Sequence, residues 1–395
     1  MVLAIAELLA MAPWFSASAV APALARAWQL SPSATAWLTI SVQLGFVAGA
    51  LVSAMLTLAD RLSARKLVAG SATIAALATL GVAAAHDIVV GIACRLLTGA
   101  ALAGVYPPGM KIAAGWFKEA RGWAIGILVG ALTLGSASPH LVRWAVSPTA
   151  WRIVLVVAAI SAVAGGLLVL LVPNDGPYAA PSPPFSLAAA PRILKDPGVL
   201  LANLGYLGHM WELYAMWTWI AAFIAASEHA RLGAETDVTA RAALITFAVV
   251  GSGAIGCWLG GKYADRLGRT LVTSVAMLVS GLSALTVGGL FGAPLIALLP
   301  LLLVWGITIV ADSAQFSAAV SELAPREYVG TALTLQTCLG FLLTTATIYL
   351  LPTVAETIGW RWSMGVLAIG PALGVWAMLV LRRRPEALRL AGGKR

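Results

Sequence analysis

A succession of long apolar runs limits the folds open to this chain more than any other feature of its sequence. Each run is long enough for a helix that crosses a hydrocarbon core of about 30 Å. The approximate limits are 2–25, 34–58, 67–85, 88–113, 122–146, 151–172, 199–226, 241–263, 270–291, 294–318, 330–352 and 360–381. We therefore predict an all-α membrane protein with twelve transmembrane helices, numbered here as spans 1 to 12.

The charge content excludes a soluble protein. Only 10% of the 395 residues are Asp, Glu, Lys or Arg, whereas a soluble domain has about a quarter. The net charge of +9 is spread over short clusters between the spans, and these do not form the basic face that a nucleic acid needs. The three cysteines lie in apolar runs. We predict no nucleic-acid partner, no metal and no cofactor.

The distribution of Lys and Arg predicts the orientation in the membrane. Most of the 25 basic residues lie in the even-numbered loops and the C-terminal tail. Because such residues favour the cytoplasmic side, we expect both termini in the cytoplasm and a multi-pass protein of a bacterial cytoplasmic membrane. Residues 173–198, rich in proline and small residues, are predicted to be a cytoplasmic linker. It would join an N-terminal bundle (1–172) to a C-terminal bundle (199–381), and a basic tail (382–395) would follow.

The two halves of the chain resemble each other. Three segments match at offsets of about 205 to 209 residues: 7–14 with 212–219, 59–62 with 264–267, and 151–165 with 360–374. Three matches in chain order predict two parallel six-helix repeats, an architecture in which transporters hold the substrate near the midplane. Because Glu212 lies deeper in its helix than Glu7 does, we expect the natural start of the first helix to lie upstream.

The loop between spans 8 and 9 carries the most specific motif. Residues 261–269 read GKYADRLGR and resemble the loop motif G-x-x-x-D-R-x-G-R of the major facilitator superfamily. The loop between spans 2 and 3 keeps only the Asp-Arg pair of this motif. The resemblance covers essentially the whole chain and implies that family's two-bundle fold, alternating access and gating by these loops. The gating residues implied are Asp60, Arg61, Gly261, Asp265, Arg266, Gly268 and Arg269.

Two further segments bear on the branch of the family. Residues 95–99 of span 4, RLLTG with Gly104, are similar to the family's R-x-x-x-G motif, which is linked there to proton coupling. Span 5 lacks the Gly-Pro step of drug antiporters, which favours uptake over efflux. Spans 4 and 10 look most like those of nitrate, cyanate and organic-anion porters.

Ionisable side chains inside the spans are costly in hydrocarbon and are therefore functional candidates. We predict roles in substrate binding or proton coupling for Glu7, Arg95, Tyr106, His209, Glu212 and Asp312. A buried carboxyl or imidazole can take up and release a proton, and a buried guanidinium can hold an oxyanion bidentately. Two structural alternatives remain open. Arg95 could be satisfied by backbone carbonyls or Asp312, and Glu212 could pair with Arg95 or Lys111.

Aromatic and amide side chains on the cavity-lining spans could shape a binding site. Our cavity candidates are Trp14, Gln43, Lys111, Trp211, Tyr214, Gln315 and Gln336. Tyr106 ranks highest among the neutral groups because the two prolines after it would free backbone carbonyls. Arg95 and Lys111 are about 24 Å apart along a helix and cannot grip one small substrate together.

These observations predict a secondary transporter that takes up a small organic or inorganic anion with protons and works as a monomer. The chain has neither a nucleotide-binding loop nor an enzyme motif. The alternatives are a drug or metabolite efflux antiporter, a transporter-like membrane receptor, and an importer of copper or another soft metal. The soft-metal alternative depends on Met11, His209, Met210 and Met216.

Overall fold

The computed structural model describes residues 1–117, 121–179 and 185–395, and these residues are almost entirely helical. Span 1 consists of α1 (Val2–Ala10), α2 (Ser16–Ala19) and α3 (Ala21–Trp28). Span 2 is α4 (Pro32–Met55), and α5 (Leu58–Arg61) precedes span 3, which is α6 (Ala64–Ala84). Span 4 consists of α7 (Ile88–Leu102) and α8 (Tyr106–Trp116). Span 5 is α9 (Arg121–Ala145), and a 3-10 turn (Pro148–Ala150) leads into span 6, α10 (Trp151–Val169).

The second half repeats this arrangement. A 3-10 turn (Leu187–Ala189) and α11 (Ala190–Lys195) precede span 7, α12 (Pro197–Leu232). Spans 8 and 9 are α13 (Thr239–Leu267) and α14 (Arg269–Thr286), with a 3-10 turn at Val287–Leu290. Span 10 consists of α15 (Leu295–Ala311) and α16 (Ser313–Leu323). After Arg326–Tyr328, span 11 is α17 (Val329–Ile358). Span 12 contains α18 (Trp360–Ser363), a 3-10 segment (Met364–Ala368) and α19 (Ile369–Arg383), and the tail forms 3-10 turns (Pro385–Gly393).

The helices have the lengths that a membrane protein requires. Within the described residues, ten segments are long and apolar enough to cross a membrane. The other two are span 1, which is interrupted, and span 7, a single helix of 36 residues that carries His209 and Glu212. The predicted all-α fold with twelve spans is confirmed.

Three spans are broken near their middle. Span 1 is non-helical at 11–15, span 4 at 103–105 and span 10 at Asp312. Proline accounts for part of this, since Pro13 lies in the first break and α8 starts with prolines in its first turn. A broken helix leaves backbone carbonyls without their usual partners, and in a membrane other groups must satisfy them.

The two halves pack through spans 5 and 8 and through spans 2 and 11. Small residues allow the first of these crossings. A Cβ atom on Gly126 would lie 2.9 Å from the carbonyl oxygen of Cys257, and one on Gly130 would lie 3.5 Å from Cβ of Ala254. The helix backbones therefore approach closely along this seam.

The linker and the tail pack against the same end of the bundle, called here the linker side. Asp175 Oδ2 accepts the backbone N–H of Ala64 at 3.2 Å. Leu390 is fully buried, and the N–H of Ala391 donates to the carboxylate of Glu322 at 3.0 Å. The tail predicted from its charges is thus folded onto the C-terminal half. Residues 180–184 of the predicted linker lie outside the described residues.

Candidate functional site between the halves

Aromatic side chains from both halves meet near the middle of spans 1, 2, 7 and 11. The ring centroids of Phe46 and Phe341 are 4.5 Å apart, and Trp14 lies 5.0 Å from Phe46 and 5.8 Å from Tyr214. These rings join the first half to the second. We call the group the central aromatic cluster, and its members are Trp14, Phe15, Phe46, Tyr214, Trp217 and Phe341.

Several polar groups on the helices of this cluster are buried without a hydrogen-bond partner in the described part of the chain. They are the indole Nε1 atoms of Trp14 and Trp217 and the side-chain amides of Gln43 and Gln336. A buried polar atom without a partner costs about 1–3 kcal/mol, and folded proteins rarely leave several together. Unpartnered indole and amide groups therefore lie on the helices that carry the aromatic cluster.

The Glu7 side chain of span 1 contacts span 4 one turn after Tyr106. The Glu7 side chain is buried and its Oε1 has no hydrogen-bond partner among the described residues. Its Oε2 lies against Gly109, where a Cβ atom would be only 2.7 Å away. Tyr106 begins α8 and lies one turn before Gly109. The glycine thus makes room for a buried carboxyl group with one oxygen unpartnered among the described residues.

His209 and Asp312 form a buried pair in the second half. His209 Nδ1 lies 2.9 Å from Asp312 Oδ1, and both side chains are 1% exposed. The break in span 10 places Asp312 at this position, and the His209 ring packs against Tyr206 and Phe316. His209 Nε2 has no partner within the described residues. The two atoms are close enough for an ion pair but are not aligned as a hydrogen bond, since Asp312 Oδ1 also has no hydrogen-bond partner among the described residues.

Arg95 binds the backbone of spans 1 and 2. Its Nε donates to the carbonyl of Leu38 at 3.0 Å, its Nη1 to that of Pro13 at 2.8 Å, and its Nη2 to that of Trp14. Two of these carbonyls belong to the break in span 1. Of the alternatives that the sequence leaves open, satisfaction by backbone carbonyls is the one seen in the structure. The geometry favours a role for Arg95 in the fold of span 1 rather than in substrate contact.

The side chains of four other residues proposed from the sequence make hydrogen bonds outside the central aromatic cluster. Lys111 pairs with Asp60 and donates to the carbonyl of Ala59 at 2.7 Å, on the linker side. Trp211 donates to the carbonyl of Val366 in span 12 at 3.2 Å. Gln315 accepts a bond from Arg269 at 2.7 Å, and Glu212 faces Ser280 and Trp305. The sequence assigned these residues to spans but could not give the rotation of each helix.

The loop between spans 8 and 9 forms a charged cluster at the linker side. Arg269 donates to both carboxylate oxygens of Glu322, at 2.9 and 2.6 Å, and lies 3.4 Å from Asp265. Asp265 also reaches the other half, since a Cβ on Gly122 would lie 2.9 Å from its Oδ2. Gly122 is in the first turn of α9, where a carboxylate is stabilised by the helix dipole.

The other proposed gating residues in the two loops differ in their exposure and contacts. The side chains of Arg61 and Arg266 are exposed, while Gly261 is buried against Gly122 in the seam between spans 5 and 8. Gly268 has φ +94°, and a Cβ there would collide with the carbonyl of Arg395. Only glycine fits that position.

Two six-helix halves, with broken helices and unpartnered polar groups, form an architecture that is typical of membrane transporters. A family model described as the Major Facilitator Superfamily matches residues 3–347, and the chain belongs to that family. Membership of this family indicates a transporter rather than an enzyme.

The chain is similar to the 3-(3-hydroxy-phenyl)propionate transporter of Escherichia coli (strain K12), with 26% identity over 276 residues. The match covers 68% of this chain and spans 64% of the length of that relative.

Solved structures share the fold. A D-xylose-proton symporter has a TM-score of 0.77 at 17% identity, covering 98% of each chain. The nucleoside transporter NupG has a TM-score of 0.73 at 16% identity, covering 96% of this chain and 98% of the other.

Proposed function

We propose that this transporter takes up a small organic anion together with protons, and that the substrate is an aromatic carboxylate. The observation that carries the proposal is the central aromatic cluster with its unpartnered indole and amide groups. Flat aromatic faces suit an aromatic ring, which favours offset-stacked or edge-to-face contacts. The indole N–H groups of Trp14 and Trp217 and the amides of Gln43 and Gln336 can donate to a carboxylate.

The similarity to a 3-(3-hydroxy-phenyl)propionate transporter supports the same substrate class, because that relative's name describes an aromatic ring and a carboxylate. With Arg95 bound to backbone carbonyls, we propose neutral donors as the carboxylate ligands. A negative charge among neutral donors is costly in a bilayer. Carrying a proton in the same cycle lowers that cost, and this is the physical reason for coupling.

We assign the transported proton to Glu7 and to the His209–Asp312 pair. Glu7 has an unpartnered oxygen, and the pair lies in the other half with an unpartnered His209 nitrogen. Alternating access moves the two halves relative to each other, so protonation on either side of the site can bias the equilibrium between states. The loop clusters around Asp60 and Asp265 are proposed as the gates at the linker side.

The test is uptake by proteoliposomes with an imposed proton gradient. We expect accumulation of 3-phenylpropionate that stops when the gradient is collapsed, and no accumulation of the corresponding neutral amide. Accumulation of hydrophobic cations in place of carboxylates would refute the anion proposal and favour an efflux antiporter.

Two variants test the proposed site. Trp14→Phe keeps the ring but removes the donor, and we expect the KM for 3-phenylpropionate to rise about tenfold, the cost of about 1.4 kcal/mol for one lost hydrogen bond. Trp123→Phe, at an exposed indole, is the matched control and should behave as wild type.

Glu7→Gln should abolish gradient-driven uptake but retain exchange of labelled for unlabelled substrate. Loss of both activities, in a folded protein, would contradict a coupling role.

A further inference from the structure

Glu212 lies in the interior of the second half and has a complete set of hydrogen-bond neighbours. Trp305 Nε1 in span 10 donates to Oε1 at 2.7 Å, and Ser280 Oγ in span 9 is 2.8 Å from Oε2. The side chain is 1% exposed. Glu212 belongs to none of the ion pairs found within the described residues. The titratable groups nearest to it are His209 on its own helix and Asp312 on span 10, and these two pair with each other.

Burial without a cation indicates that Glu212 keeps its proton, and the hydroxyl of Ser280 can accept it. Besides Glu212 Oε2, the Ser280 oxygen is 3.2 Å from the carbonyl oxygen of Met277. A serine hydroxyl has one proton and cannot donate fully to two acceptors. If Glu212 is a carboxylate, Ser280 can donate to it, because the Met277 carbonyl keeps its helical partner in α14, but the buried negative charge has no cation among the described ion pairs. If Glu212 carries a proton, that proton is donated to Ser280, Ser280 donates to Met277, and every group is satisfied.

We infer that Glu212 is held as a neutral carboxylic acid that donates to Ser280, and that it is a positioning residue rather than the carrier of the transported proton. Its bond from Trp305 fixes span 7 against span 10. His209 lies one turn before Glu212 on span 7, and Asp312 lies farther along the same span as Trp305. The hydrogen bond between Trp305 and Glu212 therefore helps to hold His209 opposite Asp312. The inference deepens the proposed function by excluding one carboxyl group from the coupling step.

The contrast with Glu7 supports this division. The two glutamates are equivalent in the sequence repeat, and both are buried. Glu212 has a neighbour on each oxygen, whereas Glu7 Oε1 has none among the described residues. A carboxyl group enclosed by satisfied partners must break them to release its proton. One with a free oxygen has no such constraint.

Glu212→Gln is the sharpest variant, because its amide reproduces the neutral acid. The amide oxygen accepts from Trp305 and the NH2 group donates to Ser280. We expect a thermal unfolding temperature like that of wild type, and gradient-driven uptake within about twofold of wild type with an unchanged pH profile. Glu212→Ala, which leaves Trp305 Nε1 and Ser280 without their partner, should lower the unfolding temperature. Loss of gradient-driven uptake in Glu212→Gln, with exchange retained, would overturn the inference.

Infrared spectroscopy reads the proton directly and needs no substrate, so it separates failure of this inference from failure of the proposed function. The difference spectrum of wild type minus Glu212→Gln should contain the carbonyl band of a hydrogen-bonded carboxylic acid, unchanged between about pH 6 and pH 9. Carboxylate bands in that range would overturn the inference. Trp305→Phe removes only the donor to Oε1 and should shift the same band, so an unshifted band would also count against it.

Discussion

Arg95 and Lys111 illustrate how the neighbours of a cation determine its role inside an apolar bundle. Both lie in span 4, and the sequence presents both as candidates for binding an anion. Arg95 reaches three backbone carbonyls in two other spans, a geometry that the planar guanidinium fork allows. Lys111 reaches Asp60 at the linker side. Both cations are bound to other protein groups. For this reason we propose that neutral indole and amide groups, rather than a cation, bind the carboxylate of the substrate.

Arg95→Lys should destabilise the protein more than it affects substrate affinity. A lysine ammonium is a compact point charge and cannot match the directions of three carbonyls, and a hydrogen bond from a charged group is worth about 1.5–3 kcal/mol. We expect the thermal unfolding temperature in detergent to fall by several degrees. Arg192→Lys, at an exposed linker position, serves as the control. A stable Arg95→Lys protein that no longer binds 3-phenylpropionate would instead indicate direct substrate contact.

At the scale of whole elements, the close packing of spans 5 and 8 depends on glycines, which have no side chain to hold the two helices apart. The length of the apolar runs predicted both helices, and the observed ranges Arg121–Ala145 and Thr239–Leu267 differ by a few residues from the predicted ones. Composition predicts that glycines permit close packing. It does not predict which glycine faces which helix, because this depends on helix rotation and on contacts far apart in the chain.

A matched pair of alanine substitutions tests the seam. In Gly126→Ala the new Cβ would lie 2.9 Å from a backbone oxygen, so a helix must shift, whereas in Gly130→Ala the closest atoms are 3.4–3.5 Å away. We expect Gly126→Ala to cost about 1–3 kcal/mol and to slow uptake, since in the proposed mechanism the two halves move relative to each other along this seam. Gly130→Ala should resemble wild type in unfolding temperature and uptake. Equal effects of both substitutions would exclude steric contact as the cause.

The C-terminal tail provides a second test at this scale. Its charges predicted a simple basic extension, but Leu390 is fully buried while Leu388, two residues earlier, is 52% exposed. Truncating a buried leucine to alanine usually costs about 2–5 kcal/mol. We therefore expect Leu390→Ala to lower the unfolding temperature and Leu388→Ala to leave it unchanged. If both variants melt like wild type, the tail is not bound to the bundle in solution.

At the scale of the whole molecule, the sequence predicted more of the fold than of the site. The spans, the repeat and the family follow from apolar run length, a constant offset and one nine-residue loop motif. The site depends on which side chains face each other across two halves, and only tertiary packing determines that. Trp14 and Tyr214 were candidates that the structure brings to the cluster, whereas Phe46 and Phe341 were missed because a phenylalanine in an apolar span carries no signal of its own.

Orientation in the membrane is a property of the whole chain and can be tested with two cysteine variants. Ala188 in the linker and Ala234 in the loop after span 7 are both exposed, so either tolerates a cysteine. Because basic residues concentrate on the linker side, we expect a membrane-impermeant maleimide to label Ala234→Cys in intact cells. It should label Ala188→Cys only after permeabilisation. The parent chain gives the background, since Cys257 and Cys338 are buried and Cys94 is half-buried. Labelling in the opposite order would reverse the assigned orientation and place the gating loops outside the cell.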